Sequence, residues 1–166
     1  GTYSETIKRR EGYMVNIKNI LCPIDYSVYS EMALKYAIEF AEKYQAKLYL
    51  VHVLDIRVYD INDPDLYNVN IVDEETINKL RERLLKCVNE DTKSKISVEA
   101  IIIQGVPFAE IIRTAKECKI DLIVLGTHGR TGLSHALMGS VAEKVVRKAP
   151  CPVLTIRHPE HDFIMP

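Results

Sequence analysis

A chain of 166 residues has the length of one domain and can bury a core of its own without disulfides or metals. Hydrophobic residues at 47% and charged residues at 27% exclude a disordered or coiled-coil chain and leave a globular one. The formal net charge of -1, with Lys and Arg scattered, supplies no basic surplus to draw the chain to nucleic acid or an anionic membrane, so neither is expected as a partner.

Residues 1–13, Gly1 to Tyr13, are polar. They are expected to be a flexible extension or partly an expression remnant, with Met14 as a candidate native start and the domain running over 14–158. Ile17, Ile20, Leu21, Cys22 and Ile24 then form a nearly continuous apolar run, the pattern of a strand buried on both faces. Ala33, Leu34, Ala37, Ile38 and Ala41 recur at spacings of three and four and predict a helix, with Ser27 or Ser30 as its N-cap. Leu48, Leu50, Val51, Val53 and Leu54 give a second buried strand. A polar stretch from Asp55 to Asn70 follows as the longest loop.

Ile77, Leu80, Leu84 and Val88 predict an amphipathic helix with an acidic first turn and basic later turns, which complement the helix dipole. Ile96 to Ile103 reads as the third strand, and Pro107 can open a helix that buries Phe108, Ile111, Ile112 and Ala115. Leu122 to Leu125 is the fourth strand. A glycine-rich turn leads to a last helix starting near Gly139-Ser140, and Val153 to Ile156 forms the fifth strand, with 159–166 as a tail. This alternation of strand and helix predicts an α/β fold: an open five-stranded parallel sheet with helices on both faces and right-handed crossovers. Cys22, Cys87, Cys118 and Cys151 lie far apart, form no CxxC pair or zinc-spaced cluster, and read as reduced thiols. With no membrane-spanning run and no apolar secretion signal, a cytoplasmic location is expected.

Ligands of open parallel sheets bind outside the carboxyl ends of the strands. The residues there are Asp25, the segment after Val53, Gly105, and the turn that begins at Gly126. That turn is the richest, because its glycines let backbone approach a ligand and its end opens a helix whose free N–H groups suit a phosphate. Two readings of Gly139-Ser140 stay open: an anion cradle to which Val141 and Ala142 add their amides, or a tight turn with Ser140 as cap. Neither a Walker-type loop nor a dinucleotide fingerprint occurs.

Gly126-x2-Gly129-x9-Gly139-Ser140 resembles the ATP-binding signature of the universal stress protein family, and Thr127-His128-Gly129-Arg130-Thr131-Gly132 is similar to that family's wording. The likeness extends through Pro23-Ile24-Asp25, His52-Val53, Gly105-Val106-Pro107 and Cys151-Pro152-Val153. What it implies is a Rossmann-like sheet of the adenine nucleotide alpha hydrolase-like kind, with strand order 3-2-1-4-5. Adenine would be held near Asp25 and Val53 by backbone contacts, with the ribose reached by Asp25 or by Gly126 and its neighbours, and Pro23, Ile24, Gly105 and Leu125 would also border the nucleotide. The triphosphate of ATP, with Mg2+, would lie over Gly129, Gly139, Ser140 and Val141; AMP and ADP are the alternative occupants.

Asp25 equally organises a turn, His128 either meets phosphate or shapes the loop, and Arg130 is either phosphate-bound or solvated. ATP-binding members often carry a hydroxyl residue where this chain has Ala142, which removes one contact. The implied function is an ATP-binding regulatory module of the stress response. A slow Mg-dependent ATPase or autophosphorylating protein is the enzyme alternative, and a nucleotide-independent interaction protein the third. The resemblance also implies a homodimer through strand Val153 to Ile156, an edge whose unpaired backbone invites another chain unless the tail at His158-Pro159-Glu160 covers it.

Overall fold

The computed structural model describes residues 15–58, 72–129 and 138–157. The first apolar run forms β1 (Asn19–Pro23), whose Ile20, Leu21 and Cys22 are consecutive and fully buried. Three buried residues in a row require cover on both faces of the strand. Helix α1 (Val28–Tyr44) begins at Ser27, whose hydroxyl accepts from the Ser30 N–H at 3.2 Å. Ser30, the other candidate cap, lies inside the helix and donates to the Ser27 carbonyl at 3.1 Å. Gln45 ends α1 in the left-handed conformation, with φ 52.

β2 (Lys47–Asp55) pairs in parallel with β1, from Asn19 opposite Lys47 to Pro23 opposite Val51. It continues beyond β1 to place Asp55 opposite Gly105 of β3 (Val98–Gly105). A 3-10 turn, Ile56–Val58, follows β2. The rest of the expected long loop lies outside the described residues, as do residues 1–13 and the tail from 158 onward.

Between β2 and β3 the structure corrects the sequence reading. Helix α2 (Glu74–Leu85) stops short of Val88, and a separate short helix α3 (Glu90–Lys95) follows. Its six residues include no hydrophobic one, so apolar periodicity carries no trace of it. Asn89 starts it by accepting from the Thr92 N–H at 2.8 Å, and the charges run from Glu90 and Asp91 to Lys93 and Lys95 along the dipole. Ile96, expected to open the third strand, instead closes α3, and the strand begins two residues later.

Helix α4 (Pro107–Glu117) has proline in its first turn, where the missing N–H breaks no helical bond. β4 (Leu122–Gly126), α5 (Ser140–Lys148) and β5 (Val153–Ile156) complete the chain. The sheet is parallel throughout in the order β3-β2-β1-β4-β5. Strand side chains alternate between its two faces. Ile20, Cys22, Leu48, Leu50 and Val124 pack with Ala33, Ala37, Leu84 and Val88 under α1 and α2. Leu21, Val51, Ile123 and Leu125 pack with Ile111, Ala115 and Val145 under α4 and α5. After β1 the chain turns toward the β2 side through α1, whereas after β4 it turns toward β5 through α5 on the other face. A crevice must open where those two connections part.

Candidate functional site

Helix α5 opens the crevice wall. Its N-cap is Gly139, with extended dihedrals and no side-chain hydrogen bond, so Ser140 is the first helical residue and not the cap. The amides of Ser140, Val141 and Ala142 accordingly have no acceptor among the described residues. Gly139 itself is held by its N–H, which donates to the Thr127 carbonyl at 2.6 Å. A Cβ on Gly139 would stand 3.1 Å from that oxygen and 3.3 Å from the His128 Cα. The start of α5 is thus folded against the end of β4 through glycine, and three amides face outward at the positive end of a helix.

The opposite wall comes from β1 and β2. The Asp25 carboxylate accepts from the Ser27 N–H at 2.9 Å, so it does organise the turn into α1. Its other oxygen faces Gly129, where an added Cβ would lie 3.0 Å away. Asp25 therefore serves the turn and borders the crevice at once. Tyr26 follows with φ 63, a left-handed conformation unusual for a bulky residue. Its ring tilts against His52, 5.0 Å between centroids, and the Arg83 guanidinium lies over the ring at 4.3 Å. The Ile24 carbonyl can only accept, so the 2.7 Å contact with His52 Nδ1 places the proton on that nitrogen.

Together these elements enclose a crevice of about 550 Å³, a size suited to a small-molecule ligand. Pro23, Ile24, Asp25, Val53, Leu125, Gly126, His128, Gly129, Gly139, Ser140, Val141 and Ala142 all line it. Gly105 does not: it turns the chain into α4, and a Cβ there would strike the Glu110 side chain at 2.6 Å. Arg130 lies outside the described residues. His128 sits in the wall with Nδ1 3.0 Å from the Thr127 hydroxyl and its ring 5.3 Å from that of Tyr29.

The sequence reading pointed to the segment after Val53 but singled out no residue of it. Asp55 and Arg57 line the crevice, and Arg57 grips the carboxylate with Nε at 2.9 Å, Nη2 at 2.7 Å and its own backbone N–H at 3.0 Å. Hydrogen bonding from Arg57 holds the Asp55 carboxyl below the usual carboxylate range. His52 also lines the site and had a legible signal, as a polar residue inside an apolar strand. Among the described residues no group of three His, Cys, Asp or Glu side chains is placed to hold a metal ion.

Fold and crevice define a doubly wound α/β protein with an open site at the switch point between β1 and β4. The chain belongs to the universal stress protein family, whose family model matches residues 16–157. Universal stress protein MJ0531 of Methanocaldococcus jannaschii is 34% identical over 145 residues, covering 87% of this chain and 85% of that one. The solved structure of MJ0577, a universal stress protein of the same organism, is 34% identical with a TM-score of 0.72, covering 88% of this chain and 99% of that one. UspA from Lactobacillus plantarum is 31% identical with a TM-score of 0.70, covering 87% and 100%. Two more distant structures share the fold at a TM-score of 0.57: a universal stress protein in complex with cAMP, 21% identical and covering 86% and 98%, and one from Archaeoglobus fulgidus in complex with dAMP, 24% identical and covering 86% and 99%.

Proposed function

We propose that the crevice binds an adenine nucleotide, ATP in the first instance, and that the protein is a nucleotide-dependent regulatory module. The observation that carries this reading is the start of α5: three amides without a described acceptor, at a helix N-terminus whose cap is glycine, on the wall of a ligand-sized crevice. Phosphates sit against Ser140, Val141 and Ala142 and over Gly129, where no side chain intervenes. The nucleoside then extends toward Pro23, Ile24, Asp25 and Val53, whose largely apolar surface suits a purine ring. The cAMP and dAMP complexes of distant members show that the fold itself accommodates such ligands.

Mg2+ enters with the polyphosphate, bound mainly by phosphate oxygens and water. Binding is favoured over turnover, because phosphoryl transfer requires a group that positions the attacking nucleophile as well as a held metal. Isothermal titration of the folded protein with ATP, AMP and GTP, magnesium present, tests the reading. Heat from the adenine nucleotides supports it; none from either would overturn it. The exposed position of β5 at the sheet edge supports a second element of the proposal, a homodimer formed through Val153–Ile156.

A further inference from the structure

We infer that the groove between α2 and the outer edge of β3 is a docking site for an extended acidic peptide segment of a partner protein, which joins the sheet as an added strand. The site lies at the edge opposite β5 and does not depend on the nucleotide reading. β3 pairs residue for residue with β2 from Val98 to Gly105, and no strand lies on its other side. The Leu48 N–H donates to the Ser97 carbonyl at 2.9 Å. Backbone groups point alternately to the two sides of a strand, so Val98, Ala100 and Ile102 turn their N–H and C=O outward. None of these outward groups has a partner among the described residues.

Sheet edges are ordinarily guarded by lysine, proline or a bulge. β3, with the sequence Val-Glu-Ala-Ile-Ile-Ile-Gln-Gly and an unbroken register, has none of the three. Beside this edge, Arg81 and Leu85 of α2 and residues Val98 to Ile102 line a groove of about 510 Å³. An exposed edge with an adjoining side-chain groove is the arrangement that binds peptides by strand addition: main-chain bonds supply affinity and the groove supplies specificity. Charge selects the peptide. Glu99 is held by Lys47 at 2.6 Å, which neutralises it. Arg81 makes no ion pair among the described residues, and its described bond is to the neutral Asn78 side chain at 2.7 Å. The groove therefore carries an uncompensated positive charge beside the apolar Leu85, Ala100 and Ile102. Side chains two apart on an added strand share a face, so an apolar residue and an acidic one at alternate positions meet both.

The probe is a fluorescein-labelled heptapeptide, Thr-Val-Thr-Glu-Thr-Val-Thr, titrated by anisotropy against the full chain. Two controls accompany it, one with lysine for glutamate and one with its amides N-methylated. The glutamate peptide is expected to bind about tenfold or more tightly than the lysine peptide, Arg81→Glu to reverse that order, and N-methylation to abolish binding. Bound peptide is also expected to slow hydrogen exchange at the Val98, Ala100 and Ile102 amides. Leu84 is the buried residue of α2, so Arg81→Glu leaves the core intact. Any of four results overturns the inference: no binding of the glutamate peptide, an order unchanged in Arg81→Glu, full affinity of the N-methylated peptide, or unaltered exchange at those amides. So does light scattering in which Arg81→Glu lowers the mass of the protein alone, since the occupant would then be a second copy of the chain.

Discussion

Gly126 and Gly129 stand three residues apart in one turn, yet a methyl group added to each meets a different kind of neighbour. At Gly126 the new Cβ would lie 2.8 Å from the Tyr29 carbonyl carbon and oxygen, where the first turn of α1 rides on the end of β4. Backbone cannot step aside without moving the helix, so Gly126→Ala is expected to cost about 1–3 kcal/mol, read as a lower urea midpoint. At Gly129 the neighbour is the Asp25 carboxylate oxygen at 3.0 Å, which can rotate away. Gly129→Ala is therefore expected to keep most of the stability and lose nucleotide affinity, because the methyl projects into the crevice. Equal losses of stability in the two variants would contradict this division. Neither glycine has positive φ, so close approach and not backbone permissiveness explains them. A sequence records that glycines are spaced along a turn but not what each one touches, which is why the packing role of Gly126 was invisible beside its place in the signature.

At the scale of elements, caps set boundaries that apolar periodicity leaves blurred. The Ser27 hydroxyl accepts from the Ser30 N–H at the start of α1, and the Ser27 N–H in turn holds the Asp25 carboxylate at the crevice. Ser27→Ala is expected to lower stability by about 1 kcal/mol, measured by chemical denaturation, with α1 itself retained because Ala33, Ala37 and Ala41 remain buried. The five strands and the four helices with an apolar stripe were legible because each buries a face against the sheet. The polar helix α3 was not, since its only signals were Asn89 and a gradient of charge over six residues. The crevice was legible where glycine and strand ends point to it. It was illegible at Arg57, whose position depends on a 3-10 turn that no periodicity announces. Gly105 shows a different limit: it ends a strand, as a site residue should, and the Glu110 side chain packed against it is a contact that the sequence does not record.

For the whole molecule, sheet order decides what is left open. β3 and β5 are the two edges, and Val153, Leu154 and Thr155 of β5 are only partly covered. Light scattering at micromolar concentration is expected to report twice the 19.0 kDa of one chain; a monomer would remove the proposed dimer. The strands being parallel, one rim of the sheet collects their carboxyl ends and the crevice, while the other collects their amino ends. That second rim is stitched by side chains: Asp121 accepts from the Lys18 and Asn19 amides at 2.9 Å each, and the Asn19 side chain donates to the Lys119 carbonyl at 3.2 Å. A protein polarised in this way has a natural underside. Tethered to a sensor chip through that stitched rim, it would present its open mouth to the flowing solution.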